Sequence, residues 1–410
     1  MARSFNGFFT DAGSQRERTN LSVPVCFALL ATCVTVLSQI SPVDLTMLYG
    51  GLWVLLIVFV FRQGGKRTLL KGYALFFFVL FLGYGSFCFF ASVISGEFGY
   101  LSGFFLLFSK TILVYFVGLA LAVSGLRGRD FYMIIWMYIV AALLYAFWVQ
   151  LNYIPSFSSW LTTEEYLFVS KNSFGQIAGM AIICAFSLPV RRKSFFVLRL
   201  FIVVYLFFMI AAAQCRTALL GCACAFLAYL IYQKKWKLIL CLLFIGFLAV
   251  LFIPELRSFV VHTLMLDKYK EGGDLNAISS GRLVFWVKAV DVFVEHPFFG
   301  VGNYYVDNLY LNILVNAGLI GFVVFAGGFI ARLHANMDYV RILARVNKGK
   351  SMFVRILLLA SVFYLIESLM EGQPPYGPGS CAFVFWIVCG YLDELFLLDE
   401  AFQKNRICEA

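Results

Sequence analysis

Two arginines in this chain stand where apolar sequence gives way to polar sequence. Arg216 follows an apolar run that ends with residues 211–215, and Arg282 opens a short amphipathic stretch. An arginine at the edge of an apolar run is costly unless it reaches water or has a partner. Its guanidinium also offers a fixed fork of donors that matches a phosphate. Each arginine is therefore either an ordinary interface residue or an anion ligand.

Two polar pairs stand just before apolar runs. One is Lys171-Asn172 and the other is Asp307-Asn308. Asp and Asn are favoured helix N-caps, so a structural cap explains the second pair without any chemistry. The carboxylate of Asp307 could instead accept the proton of an attacking hydroxyl. Lys171 has the simpler interpretation of a lysine at the edge of an apolar run.

Two carboxylates mark the end of a later apolar run. Glu367 lies late in that run and Glu371 lies just past it. A carboxylate in such a run is a functional hypothesis that needs a named partner. We predict that the partner is Arg216 or Arg282, and a purely structural ion pair explains the pattern equally well.

The sequence indicates neither a metal nor a cofactor. His262 and His296 show no metal-ligand spacing with another His, Cys or Asp. The chain contains no Walker loop, no dinucleotide-binding fingerprint and no HExxH motif. We therefore expect a site without a metal or a cofactor, in which the energy for any reaction arrives with the substrate.

The composition places these residues in a membrane protein. Hydrophobic residues make up 62% of the 410 residues and charged residues 13%, whereas soluble domains are about 45–50% apolar. Long apolar runs in lipid must be helical, because the backbone has to satisfy its own hydrogen bonds there. We predict an all-α, polytopic transmembrane bundle. The net charge of +10 is spread in short clusters between apolar runs, so we expect no nucleic-acid partner.

Twelve apolar runs predict about twelve spans. The predicted organisation is a tail at 1–20, a transmembrane domain at 21–397 with longer loops at about 151–172 and 255–308, and a tail at 398–410. The runs lie near 21–40, 43–61, 73–93, 102–124, 131–150, 173–190, 195–213, 217–233, 238–254, 309–331, 353–370 and 381–397.

Basic residues alternate between the gaps and so give an orientation. Most of the 32 Lys and Arg residues fall in every second gap, including the stretch from Arg332 to Arg355. The positive-inside rule places that set in the cytoplasm. Both termini are then cytoplasmic, and the two longer loops are on the outer side. Lys171, Arg216, Arg282 and Asp307 all fall on that outer side.

The second outer loop contains an amphipathic segment. It runs from about Ser279 to Pro297 with helical periodicity, and Ser279 or Ser280 is a suitable N-cap. Because it is too short and too charged to span a bilayer, we predict a helix at the outer interface or packed over the bundle.

These motifs, in this order, resemble the O-antigen ligase and polysaccharide polymerase superfamily. Each motif is weak alone, but their order, spacing and common outer location agree. The matching elements are Lys171-Asn172-Ser173-Phe174-Gly175, Gln214-Cys215-Arg216-Thr217-Ala218 (with cysteine where serine is usual), Gly281-Arg282 with Trp286, His296-Pro297-Phe298-Phe299-Gly300-Val301-Gly302, Asp307-Asn308-Leu309-Tyr310-Leu311 and Asn316-Ala317-Gly318-Leu319-Ile320-Gly321.

The resemblance implies a metal-independent glycosyltransferase of GT-C type in the bacterial inner membrane, with a periplasmic active site. The polymerase branch joins repeat units carried on undecaprenyl pyrophosphate, and the ligase branch transfers the finished glycan to lipid A-core. Arg216 and Arg282 would hold the donor pyrophosphate. The candidate site has Asp307, Arg282 and Arg216 in catalysis, and Lys171, Asn172, Asn308, Tyr310 and Glu367 in substrate binding.

Three functions remain open at this stage. The ligase branch typically has histidine where this chain has Asp307, which favours a polymerase of O-antigen, capsule or exopolysaccharide over an O-antigen ligase. The resemblance also implies a flippase and a chain-length regulator as partners. A secondary transporter with twelve spans is the third hypothesis. The chain shows no matching pair of broken helices in its two halves, which counts against transport.

Overall fold

The computed structural model describes most of the apolar part of the chain. The described residues are 23–62, 83, 85–94, 96, 98–99, 101, 110–126, 128–153, 171–189, 193–263, 281–347, 352–372 and 382–408. The predicted N-terminal tail at 1–20, most of the loop at 151–172 and residues 264–280 of the second loop, with Ser279 and Ser280, lie outside the described residues.

All regular secondary structure in the described residues is α-helical, as the composition predicts. The helices are α1 (Val23–Leu37), α2 (Thr46–Arg62), α3 (Gly85–Ile94), α4 (Lys110–Val123), α5 (Gly128–Tyr153), α6 (Lys171–Ser187), α7 (Lys193–Ala212), α8 (Arg216–Tyr232), α9 (Trp236–Phe252), α10 (Pro254–Thr263), α11 (Arg282–Glu295), α12 (Leu309–Asn347), α13 (Met352–Glu367) and α14 (Phe383–Cys408).

The helices follow the predicted apolar runs. Each predicted run overlaps a described helix, and most of their ends agree within a few residues. Helix α3 corresponds to the second half of the run at 73–93. Within the described residues, three helices are long and apolar enough to cross a membrane, at Asp130–Tyr153, Lys193–Ala212 and Leu309–Ala344. Most of the others are shorter apolar helices, so the total of twelve spans stays a prediction.

Two helix pairs form the centre of the bundle. Helix α4 packs along α14, and α8 packs along α13, while α6 contacts α7, α8 and α13. By contrast, α9 exposes nearly all of its large apolar side chains, including Leu240, Phe244 and Phe247. Such a surface is favourable against lipid and not against water. The outward apolar faces and the buried interior therefore agree with a membrane protein.

The structure corrects the predicted end of the helix before Arg332. The sequence predicted a gap between helices from Arg332 onward, but α12 continues to Asn347 and Arg332 is buried within it, at 2% exposure. Its Nη1 atom lies 2.6 Å from Oδ2 of Asp393 on α14. Tyr115 on α4 donates a hydrogen bond to the same carboxylate, and Nε of Arg332 donates to Asn336. A buried ion pair thus links α4, α12 and α14.

Candidate functional site

Three basic residues of the candidate site begin three helices. Lys171 is the first residue of α6, Arg216 of α8 and Arg282 of α11. Helix N-termini carry partial positive charge and usually attract Asp or Glu. None of these helices has an acidic residue in its first turn. A basic side chain at a helix N-terminus is repelled by the partial positive charge there unless an anion lies near. This arrangement therefore favours anion binding.

The starts of α6 and α8 lie against each other because Gly175 has no side chain. A Cβ atom at Gly175 would lie 2.8 Å from the Cβ of Cys215, which is too close for an ordinary contact. The Sγ atom of Cys215 donates a hydrogen bond to the backbone carbonyl of Lys171 at 2.9 Å. This close packing explains the glycine of the first motif, and it places Lys171 beside Arg216.

Lys171 lies within electrostatic reach of the other cations of the site. It precedes the predicted span that starts near residue 173. Burial lowers the pKa of Lys171 to about 8; the charges of Arg216 and Arg282 also lower it, while Cys215 and Glu371 act in the opposite direction. The predicted residues of the sixth, eighth and eleventh helices therefore share one location. We call this end of the bundle, where α6, α8 and α12 begin, the site end.

Arg282 lies between two carboxylates. Its Nη2 atom donates to Oε1 of Glu371 at 3.2 Å, and its Nε atom lies 3.8 Å from Oδ2 of Asp307. The sequence predicted that Arg216 or Arg282 would pair with an acid at the end of α13, and Arg282 is that partner through Glu371. Glu367 lies one turn earlier and is 1% exposed, with the side chain of Gln176 donating to it.

Glu371 combines burial with several charged neighbours. Its side chain is 10% exposed, and Asn172 donates a hydrogen bond to it. Burial raises the pKa of Glu371 to about 7; the charge of Arg282 opposes this rise, and the charge of Asp307 adds to it. At neutral pH a carboxyl group of this kind is close to its midpoint between the charged and the neutral form.

Asp307 is more exposed and has different partners. Its side chain is 38% exposed, and Oδ1 accepts a hydrogen bond from the hydroxyl of Tyr305 at 2.7 Å. The indole Nε1 of Trp286 donates to the backbone carbonyl of Asp307 at 3.3 Å. Burial, the hydrogen bond to Asp307 and its charge raise the pKa of Tyr305. Tyr305 therefore stays a donor and Asp307 an acceptor.

Asn308 forms the helix cap that the sequence allowed. Its Oδ1 accepts a hydrogen bond from the backbone N–H of Leu311 at 3.0 Å, at the start of α12. Its Nδ2 donates to the carbonyl of Leu369 at 3.0 Å. One turn later, Nδ2 of Asn312 donates to the carbonyl of Gly372 at 3.2 Å. These bonds fix the segment that carries Asp307 against the segment that carries Glu371.

A break in α12 explains two of the glycine motifs. Gly318 has φ 63° and ψ −170° inside this helix, and a Cβ atom there would overlap the carbonyl of Phe298. The loop at 297–302 satisfies the backbone groups that the break frees. Leu319 N–H donates to Pro297 at 2.8 Å, and Val301 N–H donates to Val315 at 2.9 Å. The P-F-F-G-V-G and N-A-G segments therefore shape the backbone rather than supply reactive groups.

Asn316 connects this break to the loop that carries Asp307. Its Oδ1 accepts from the backbone N–H of Tyr304 at 2.6 Å, and its Nδ2 donates to the backbone carbonyl of Tyr304 at 2.6 Å. Both polar backbone groups of Tyr304 are thereby held by one side chain. Because Tyr304 is held in this way, the positions of the neighbouring Tyr305 and Asp307 are fixed as well. Asn316 and Tyr305 were both absent from the predicted site.

The remaining predicted residues lie around this cluster. Tyr310 is half-buried and hydrogen-bonds with Ser368 at the end of α13. The predicted amphipathic helix is present and runs from Arg282 to Glu295. Gly281, with a non-helical φ of 81°, is its N-cap. The helix packs on α12. The prediction of Ser279 or Ser280 as its cap is thus wrong by one or two residues.

Two further features of the site end concern possible ligands. A pocket of ≈ 260 Å³ with mainly apolar lining opens beside the loop at 296–300. In the described residues, no group of three or more His, Cys, Asp or Glu side chains could hold a metal ion. The residues lining the pocket are Ala91, Ile94, His296, Pro297, Phe298, Phe299 and Gly300.

The fold and the site define a helical membrane protein with a cluster of basic and acidic side chains at one end of its bundle. Residues 201–326 match the family model described as O-antigen ligase. This match confirms the resemblance to the O-antigen ligase and polymerase superfamily. It includes Arg216, Arg282 and Asp307. No curated protein matches the chain. The match supports glycan processing of the O-antigen type and gives no support to a transporter.

Proposed function

We propose that the protein polymerises lipid-linked oligosaccharide repeat units at the periplasmic face of the bacterial inner membrane. The growing glycan is transferred from undecaprenyl pyrophosphate to the next lipid-linked unit. One observation carries the proposal: Lys171, Arg216 and Arg282 each begin a helix and share one location with the carboxylate of Asp307. An anionic leaving group and a hydroxyl nucleophile require these two kinds of groups.

The cations bind the donor pyrophosphate and stabilise it as it leaves. Arginine donors match phosphate oxygens in pairs, and three helix N-termini add partial positive charge at the same place. Charge on the pyrophosphate grows as the glycosidic bond to it breaks, so fixed donors aimed at that charge lower the barrier. In this proposal the cations make a metal ion unnecessary, as the resemblance implies.

Asp307 serves the acceptor sugar. Its carboxylate takes the proton of the acceptor hydroxyl, whose oxygen attacks the anomeric carbon of the donor glycan. The new C–O bond forms as the bond to pyrophosphate breaks, and undecaprenyl pyrophosphate leaves with the electron pair. Tyr305 holds Asp307 by the 2.7 Å hydrogen bond. The side chain of Asp307 is 38% exposed, which leaves room for a sugar hydroxyl to approach it.

The polyprenyl tail of the donor has an apolar route beside the same loop. The pocket between α3 and residues 296–300 has a mainly apolar lining that also includes His296, and Phe87 stacks on Phe299 with ring centroids 5.7 Å apart. In this proposal the first isoprene units lie in that pocket and the rest of the tail lies in lipid. A flippase that delivers the units and a chain-length regulator complete the proposed set of partners.

O-antigen ligase is the second candidate, because the matching family model carries that description. A ligase uses the same donor and the same pyrophosphate chemistry. It differs in the acceptor, which is lipid A-core. The aspartate at position 307, where the ligase branch typically has histidine, favours the polymerase.

Purified protein in proteoliposomes with lipid-linked repeat units tests the proposal. A ladder of longer lipid-linked glycans supports the polymerase. Formation of product only after lipid A-core is added would identify a ligase. Movement of intact repeat units across the bilayer without a new glycosidic bond would identify a transporter and would overturn both enzymatic functions.

A further inference from the structure

Arg282, which we propose binds the pyrophosphate of the donor substrate, already lies beside two carboxylates in the structure. Glu371 is in hydrogen-bond contact with its Nη2 atom at 3.2 Å, and Asp307 lies 3.8 Å from its Nε atom. A pyrophosphate that binds the same guanidinium therefore competes with an acidic side chain. Asp307 and Glu371 already share this arginine, so a pyrophosphate adds a third negative group, which both carboxylates repel in a partly dry site. Donor binding consequently requires that one carboxylate loses its charge or leaves.

We propose that Glu371 is a proton-accepting residue of the donor site. Its carboxylate holds Arg282 until a polyprenyl pyrophosphate takes the guanidinium, and it gives up this contact by taking one proton from solution. This inference rests on the proposed function, since it assigns a pyrophosphate to Arg282. Glu371 does not act on the sugar, and the acceptor proton still goes to Asp307.

Burial decides between the two carboxylates. The side chain of Glu371 is 10% exposed, whereas that of Asp307 is 38% exposed. Once Arg282 turns to the donor, a buried charge at Glu371 would lose its strongest partner, and unpaired buried charge is expensive. Asp307 keeps the hydroxyl of Tyr305 and contact with water. Protonation therefore falls on Glu371.

The other groups around Glu371 act in both directions: Lys171 and the amide of Asn172 favour its charged form, whereas Asp307 and Glu367 favour its protonated form. Helix α6 contributes Lys171 and the amide of Asn172, α11 contributes Arg282, and the loop before α12 contributes Asp307 and Tyr305. Glu367 on α13 adds a second buried carboxyl group, and Cys215 lies behind Lys171. The pKa of Glu371, raised by burial to about 7, rises further when a dianion replaces its contact with Arg282.

The proton is returned when the product leaves. After transfer, undecaprenyl pyrophosphate dissociates, Glu371 releases its proton to solution and binds Arg282 again. The cycle has no net proton consumption at this residue. Its effect is that the returning carboxylate competes with the product for Arg282 and so speeds product release.

Titration calorimetry on the purified full-length protein tests this inference, with farnesyl pyrophosphate as the probe. Measurement at pH 8 in two buffers of different ionisation enthalpy gives the number of protons taken up on binding. Lys171, whose pKa is lowered to about 8, also gains proton occupancy beside the bound pyrophosphate, in the wild type and in Glu371→Gln alike. We therefore expect the wild type to take up about one proton more than Glu371→Gln. Glu295→Gln, at an exposed acid on α11, is the matched control and retains the uptake.

The pH dependence of affinity provides a second measure. At pH values above the pKa of Glu371, the ratio of wild-type to Glu371→Gln affinity for farnesyl pyrophosphate falls about tenfold per pH unit. The reason is that wild-type binding is linked to the uptake of one proton by Glu371. The comparison with the variant removes the titration of the probe itself. Equal proton uptake by the wild type and by Glu371→Gln would overturn this inference alone. Failure of the wild type to bind any polyprenyl pyrophosphate would overturn the inference together with the proposed function.

Discussion

The guanidinium of Arg282 and the carboxylate of Glu371 form a contact of 3.2 Å across 89 positions of the sequence. The first residue of the amphipathic helix is thereby joined to the segment that follows α13. The same segment receives hydrogen bonds from Asn308 and Asn312 at the start of α12. The loop helix and the bundle therefore form one site rather than two surfaces.

Replacing Arg282 tests the donor site. Arg282→Ala removes a donor aimed at the leaving pyrophosphate, and we expect the turnover number to fall by about 10²–10³. Arg282→Lys keeps the charge but not the fork of donors, so it restores only part of the activity. Turnover is measured as glycan extension by the purified protein. The control is Arg257→Ala, at an exposed arginine on α10; an equal loss there would contradict the assignment.

Replacing Asp307 tests the proposed base. Asp307→Asn keeps the shape but accepts no proton, so we expect turnover to fall by about 10²–10⁴ without any loss of donor affinity, since a negative charge beside Arg282 is removed. Tyr305→Phe removes only the hydroxyl that holds Asp307 and produces a smaller loss. Single-turnover rates and donor binding are measured on the same preparations. A large loss of donor affinity with unchanged turnover would assign Asp307 to binding instead.

Gly318 tests the role of the break in α12. Gly318→Ala places a Cβ atom into the carbonyl of Phe298 at a positive φ, so we expect loss of the loop geometry and of activity. Gly327→Ala on the same helix meets nothing within 4 Å and is the matched control. Limited proteolysis of the loop and glycan extension report the two effects. Full activity of Gly318→Ala would show that the break is not needed.

The buried ion pair between Arg332 and Asp393 tests the packing of the bundle. Asp393→Asn leaves a buried arginine without its charged partner, and we expect a loss of about 3–5 kcal/mol in the free energy of unfolding. Arg341→Met breaks an exposed pair with Asp338 and costs about 0–1 kcal/mol. Unfolding of the detergent-solubilised protein measures both. Equal stability of the two variants would contradict a role of Asp393 in holding α12 and α14 together.

The helices could be predicted from the sequence because lipid imposes a simple rule on the backbone. An apolar run of sufficient length must form a helix, and the predicted runs coincide with the described helices. Arg332 could not be placed in this way. A charge near the end of an apolar run suggests a membrane edge, and only the fold brings Asp393 within reach from 61 positions away.

The site was predictable in part. Arg216, Arg282 and Asp307 were predicted from residue type and motif order, and the cost of buried charge predicted that Arg216 or Arg282 would pair with an acid near the end of α13. Tyr305 and Asn316 were missed because their roles depend on hydrogen bonds between a loop and the break in α12. A tyrosine near an aspartate in sequence gives no signal of that contact.

The most direct measurement counts undecaprenyl pyrophosphate released by the purified protein in proteoliposomes against the glycosidic bonds formed between lipid-linked repeat units. The account predicts one released carrier for each new bond in the wild type, and loss of both when Arg216 and Arg282 are replaced by alanine together. Chain extension at the wild-type rate in that double variant, or extension without release of the carrier, would contradict it.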